Sequence, residues 1–327
     1  MDPGWQNEQP CCYSSEALHD MERELLRNGH RFTLPQCDDG TLQVVKNKHQ
    51  CVGLRDAEHG ETLDAHIIRF EGEKLLRHLT GDGRPEAYRC VHLDTTKRVG
   101  PKLTPDKLMA SMASTYSRLR TSFNHELEDI KAMLSQNAEA VANVDKVVAF
   151  GLGRLEGPSD GLEHSIPTLA MSRHMVVYNI VHFIRTEISI HKRHLIHYTQ
   201  DSTYTGLDKK LLAEKWRMTP VEGFGAAGFL LIDGNTIVIN YEAGLPVREI
   251  VLDIARPAAM WVRDKSKSST EDPCPSRISE AMKNEYVEYS IPATPPSGDA
   301  PVQLDYFPEN RWYFRRARVE DHQNDSS

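Results

Sequence analysis

No run of roughly 18 uninterrupted apolar residues occurs in this 327-residue chain, so a membrane-spanning helix is not expected. Cysteine is sparse. Cys11, Cys12, Cys37, Cys51, Cys90 and Cys274 are all there are, and none forms a CxxC pair. That spacing argues against a zinc ribbon, a thioredoxin-like site and a disulfide framework. The N-terminus, MDPGWQNEQPCC, lacks the basic and apolar stretches of a secretory signal, so reduced thiols and a cytoplasmic location are expected. There is no basic stripe either. Residues 141–265 are electrically neutral and each flank carries −4, which together make the net charge of −8. A strong non-specific nucleic-acid binder has the opposite balance. No G-x-S-x-G elbow is present, which disfavours an α/β-hydrolase triad.

What is present begins with helices. Residues 1–13 read as a loose tail. Ser14 or Ser15 opens a helix with Leu18, Met21, Leu25 and Leu26 on one face and Gly29 as its stop. Residues 62–80 carry Ile67, Ile68, Leu75, Leu76 and Leu79 at spacings that predict a second helix. Thr104, Pro105 and Asp106 form a helix start. The stripe Leu108, Met112, Tyr116, Leu119, Phe123, Leu127, Ile130 and Leu134 then predicts one continuous helix of about eight turns. Its apolar face suits packing on a core. Pairing with a second copy, as a homodimer through the 105–135 helix, is the alternative.

From residue 146 the texture alternates between strand and helix. Strands are expected at 146–153, ending in glycines, and at 194–198, 236–241 and 260–262, with helices at 164–187, 208–215 and 246–255. This order predicts an α/β fold: a Rossmann-like, mostly parallel sheet with helices on both faces, preceded by a helical N-terminal region. The expected divisions are 1–140, mainly helical and packed on the core, then the core at 141–265, then a linker and C-terminal strap at 266–327. Tyr286 to Tyr289 could add an edge strand. The aromatic and basic end, with Trp312, Tyr313, Phe314, Arg315 and Arg316, reads as a docked strap or as a nucleic-acid contact.

In an open parallel sheet ligands bind beyond the carboxyl ends of the strands. That rule selects three loops. The first holds Gly151, Gly153, Arg154 and Ser159, the second Asp201, Ser202 and Tyr204, and the third Tyr241 and Glu242. Gly151 and Gly153 permit close backbone approach. The pattern is GxGxxxG, and Asp201 falls 48 residues after Gly153 instead of about 20, so a nicotinamide cofactor is disfavoured. No cofactor is expected. His194 and His197, three apart, point to opposite faces of a strand, so no metal site is expected there. Glu249 and Asp253 sit one turn apart on the following helix. With Tyr241 and Glu242 they could bind an ammonium or guanidinium, or Arg248 and Arg256 could neutralise them as a solvated face.

The segment Lys146 to Asp264 resembles the sensitivity-to-red-light-reduced-like domain family in its fungal form. VVAFGLGRLEGP, HLIHYTQDSTYTGLDKKLL and GFLLIDGNTIVINYEAGLPVREIVLDIARPAAM carry the resemblance, over a little more than a third of the chain. It implies a regulatory protein. Plant and animal members carry a Met-Pro-His-Cys-type motif near the last strands, where this chain has Asn240, Tyr241 and Glu242. The size and layout also resemble the arginine-containing cyclodipeptide synthases, which are similar to the catalytic domain of class I aminoacyl-tRNA synthetases. That resemblance implies charged transfer RNA as partner and an aminoacyl transfer needing no metal or cofactor. Tyr241, Glu242, Tyr204 and Ser202 would then be the catalytic groups. Gly151, Gly153, Arg154, Ser159, Asp201, Asp208, Glu249 and Asp253 would hold the substrate.

Overall fold

The computed structural model describes residues 14–27, 31–35, 42–46, 58, 61–70, 91–99, 101, 103–122, 124–156, 167–188, 194–223, 225–241, 246–263, 276–290 and 310–317. The expected tail at 1–13 and the stop at Gly29 lie outside them.

Helix α1, Ser15–Leu26, is capped by Ser14, whose side chain accepts the Ala17 N–H at 3.1 Å. Leu18, Met21 and Leu25 are buried as expected, but Leu26 is 59% exposed. Strands β1 (Arg31–Pro35) and β2 (Leu42–Lys46) pair antiparallel. The expected helix at 62–80 is corrected. Residues Thr62–Phe70 form β3, paired antiparallel with β4, Val91–Val99. Both segments carry β-branched residues, Thr62, Ile67 and Ile68 in β3 and Val91, Thr95, Thr96 and Val99 in β4, and such residues suit a strand better than a helix. The helical leucines that suggested otherwise, Leu75, Leu76 and Leu79, lie outside the described residues.

The long stripe belongs to two helices, not one: α2, Pro105–Ser122, and α3, Asn124–Gln136, followed by the short α4, Ala138–Val141. The stripe is continuous but its packing partners differ. Leu108 and Met112 join Leu155, Met171, Leu211 and Leu212. Ile130, Met133 and Leu134 instead join Val147, Ala149, Val177 and Val181. Tyr116, expected on the buried face, is 49% exposed.

The centre is a seven-stranded sheet. Its strands are β5 (Lys146–Phe150), β6 (Ile196–Gln200), β7 (Thr219–Pro220), β8 (Thr236–Asn240), β9 (Ala259–Arg263), β10 (Tyr286–Ser290) and β11 (Asn310–Arg315), in the order β10-β11-β9-β8-β5-β6-β7. The pairs β5–β6, β5–β8, β6–β7 and β8–β9 are parallel; β9–β11 and β11–β10 are antiparallel. The helices between them are α5 (Pro167–Phe183, extended by a π turn at Ile184–Ile188), α6 (Gly206–Trp216), α7 (Val247–Ile254) and α8 (Ser276–Glu285).

Alternation along the strands sends neighbours to opposite faces. Val147, Ala149, Ile237, Ile239, Trp261, Trp312 and Phe314 pack with α3 and α5. Val148, Phe150, Val238, Met260, Val262 and Tyr313 pack with α1, α7 and α8. The fold is therefore mixed α/β, with a mostly parallel sheet covered on both faces. The sheet does not stop at residue 265. The stretch expected as linker contains α8; Tyr286–Ser290 is the edge strand β10, as its sequence suggested; and the expected strap is β11, an interior strand with Trp312 fully buried. Among the described residues no helix is long and apolar enough to cross a membrane.

Candidate functional site

The strand ends that lead into the three selected loops lie side by side. Phe150 stands level with Gln200 on one side and Asn240 on the other, all running the same way. The Gly151 N–H donates to the Gln200 carbonyl at 3.3 Å and the Tyr241 N–H to the Phe150 carbonyl at 3.1 Å. From β5 the chain crosses to β6, while from β8 it crosses the other way to β9, so this edge is a topological switch point.

Arg154, Asp201 and Asp208 at this edge are committed to holding the fold. Gly151 and Gly153 have φ of 69° and 84°, a region that favours glycine. The Gly153 N–H donates to Asp201 Oδ2 at 2.8 Å, so it is not open to an anion. Asp201 Oδ1 accepts from the Thr203 N–H and hydroxyl at 2.9 and 2.6 Å, closing the loop after β6. Arg154 pairs with Glu156 at 2.5 Å with both side chains buried, and Glu156 also accepts the Leu103 N–H. Asp208 closes a capping box with Thr205 at the start of α6 and accepts the Leu155 N–H at 3.1 Å. Burial raises its carboxyl above the ordinary range, opposed by its bonds to Thr205 and by Arg154.

Glu249 and Asp253 lie on α7, where Arg277 of α8 pairs with both, at 3.2 Å to Glu249 and in a closer contact to Asp253. Arg277 sits in the stretch expected as linker, so neither reading of the two acids foresaw it. Tyr241 is buried, edge-on to Trp261, with the Arg173 guanidinium 5.5 Å from its ring centre. Its hydroxyl has no hydrogen-bond partner among the described residues, and burial drives its ionisation far above the ordinary range. Ser202 is exposed and makes no hydrogen bond with a described residue. Ser159 and Glu242 lie outside the described residues.

A turn of the chain packs against the tips of β5 and β6. On the α1 side, Phe229 stacks on Phe150 at 4.6 Å. Gln200 donates to the Gly225 carbonyl at 2.7 Å and accepts the Gly228 N–H at 2.6 Å. Buried Glu22 of α1 accepts from the Ala226 and Ala227 N–H groups at 2.7 and 3.0 Å. A Cβ on Gly228 would meet Gln200 Oε1 at 2.5 Å, so this turn is seated as closely as glycine allows.

A buried polar chain runs beneath the second loop, and sequence reasoning found only one member of it. Tyr204 Oη lies 2.7 Å from both His174 Nε2 and Thr199 Oγ1, and His174 Nδ1 lies 2.7 Å from the Ala170 carbonyl. A carbonyl only accepts, so Nδ1 carries the proton and Nε2 accepts from Tyr204; Thr199 then donates to the Tyr204 oxygen. His174 is neutral: desolvation first, with the charge of Arg173 adding, lowers it to about 4, against the opposing Ala170 bond. His197 is lowered to about 3, by burial first, then by the charge His174 takes on when acid protonates it, and by Arg185. The usable signal was an apolar helix from Met171 to Ile184. A helix apolar on all sides is buried, so its polar residues must find partners inside.

Among the described residues no three His, Cys, Asp or Glu side chains are grouped to hold a metal ion. No family model, curated protein or solved structure matches the chain.

Proposed function

We propose that this protein is a non-catalytic regulatory module of the sensitivity-to-red-light-reduced-like family, built on a Rossmann-like core. One observation carries the reading: among the described residues, Arg154, Gln200, Asp201 and Asp208 near the parallel strand tips are engaged in holding the fold, and the turn at 225–229 packs against the tips of β5 and β6. Nucleophilic catalysis needs a nucleophile within hydrogen-bond reach of a base. Ser202 makes no such bond with a described residue, Tyr204 donates into a buried neutral histidine, and Tyr241 sits in the core. Glu249 and Asp253 share Arg277, so they act as a clamp between α7 and α8 and not as a guanidinium receptor.

A second reading, the aminoacyl-tRNA-dependent cyclodipeptide synthase, is favoured by one feature: three parallel tips meeting at a switch point, where α/β enzymes place their ligands. One experiment separates the two. Purified full-length protein is incubated with a mixture of charged transfer RNAs, and cyclic dipeptides are sought by mass spectrometry. No product is expected. A cyclic dipeptide that disappears in Ser202→Ala or Tyr241→Phe would replace the regulatory reading with the enzymatic one.

A further inference from the structure

Away from the switch point, three helices leave an unfilled groove of ≈ 310 Å³. Its walls are Met112, Ala113 and Tyr116 of α2, Met175 and Tyr178 of α5, and Lys215 and Trp216 of α6. Here we infer that this groove binds a small ring-bearing carboxylate, with the ring against Trp216 and the two methionines and the carboxylate at Lys215.

The composition of the wall selects that chemistry. The methionine, alanine and ring surfaces give an apolar floor that accepts a flat hydrophobic body, and Met sulfur packs favourably on aromatic rings. The polar groups in the lining are one ammonium, two phenols and one indole N–H. All can donate hydrogen bonds, and no carboxylate stands among them. None of Tyr116, Tyr178, Lys215 and Trp216 is bonded to another described side chain through a hydrogen bond or ion pair. A wall of donors with one unpaired cation is complementary to an acceptor-rich anion. Arg217, next to Trp216 at the same helix end, adds positive charge.

The wall is also held in place before any ligand arrives. The Trp216 ring lies 5.6 Å from the His174 ring, and both nitrogens of His174 are fixed at 2.7 Å. Tyr178 stacks on His182 at an angle of 3°. A prearranged wall loses little freedom on binding. The volume is at the small end of ligand pockets and suits one or two rings. A docked helix would instead need anchors at i, i+4 and i+7, spread over about 10 Å. The inference does not rest on the regulatory reading above, because none of these residues belongs to the strand tips.

The test is calorimetric titration of the full chain with 1-naphthoate and with its neutral counterpart, 1-naphthalenemethanol. Naphthoate should bind about fivefold more tightly, the size expected from one exposed ion pair. Lys215→Met should remove that preference while leaving the alcohol unaffected. Ala113→Trp, at an exposed helix position, should fill the groove and abolish binding of both. Thermal melts of the two variants establish that each is folded. Equal affinity for the two compounds, binding that survives Ala113→Trp, or no binding by the folded wild type would each overturn the inference.

Discussion

Tyr204 is the residue on which the buried polar chain turns. Its hydroxyl donates to His174 and accepts from Thr199 in a space closed to water. Tyr204→Phe keeps the ring and strands both neighbours, and an unsatisfied buried group costs about 1–3 kcal/mol. A lower urea midpoint with an unchanged slope should report that loss. The two buried histidines make a separate prediction about acid. Their folded values, about 4 for His174 and about 3 for His197, lie below the ordinary 6.5. The unfolded chain therefore takes up protons first as pH falls. The histidine contribution to stability is complete above pH 6.5 and declines as pH drops through the window down to about 4 and then 3. Between pH 7 and pH 5 each histidine should remove on the order of 2 kcal/mol, visible as falling urea midpoints. His197 Nε2 has no partner among the described residues, so His197→Leu should shrink that decline by about half without destabilising the protein at pH 7. A flat profile in wild type would refute the assignment.

Elements in this molecule are joined by single charged side chains as much as by apolar faces. Arg277 links α8 to α7 through Glu249 and Asp253, whose side chains are 1% and 2% exposed. Removing one partner from a buried ion pair costs about 3–5 kcal/mol, because the remaining charge is left in a poor solvent. Arg277→Ala should therefore be among the most damaging single changes in 276–285, measured by chemical denaturation against the exposed Lys283→Ala as control. Glu22 plays the corresponding part for α1, holding the 226–227 turn against the sheet. Through that bond and the packing of Leu18, Met21 and Leu25, the first helix belongs to the same core as β5 and β8.

At the scale of the whole molecule, β11 is the closing piece. It lies between β9 and β10 and buries Trp312, Tyr313 and Phe314, with Trp312 stacked between Trp261 and Phe314. Each large aromatic lost from a core costs about 3–5 kcal/mol, and domains are stable by only about 5–15 kcal/mol in total. A chain ending at residue 309 should therefore fail to fold. Circular dichroism and limited proteolysis would show it, and a cooperative melt from that truncation would argue that β11 is dispensable.

The central α/β alternation could be read from local pattern because buried parallel strands write themselves as short β-branched runs: Val147 and Val148 in β5, Ile237, Val238 and Ile239 in β8. The Ser14 cap and the Pro105 start were readable for the same reason, since a helix end is satisfied by its own neighbours in sequence. Where both periodicities fit, as at 62–70, pattern alone chose wrongly. Only tertiary structure supplied the rest. It split the 105–135 stripe between two sets of packing partners, drew β11 into the sheet across about 50 residues from β9, and set Arg277 between two acids 28 and 24 positions away. Residue types at the strand tips raised the prospect of catalysis; among the described residues the fold gives Asp201 a loop to close, Asp208 a helix to cap, and Glu249 and Asp253 a shared arginine. A carboxylate's chemistry is set by what lies within about 3 Å of it, and at these positions those neighbours are brought together by the fold.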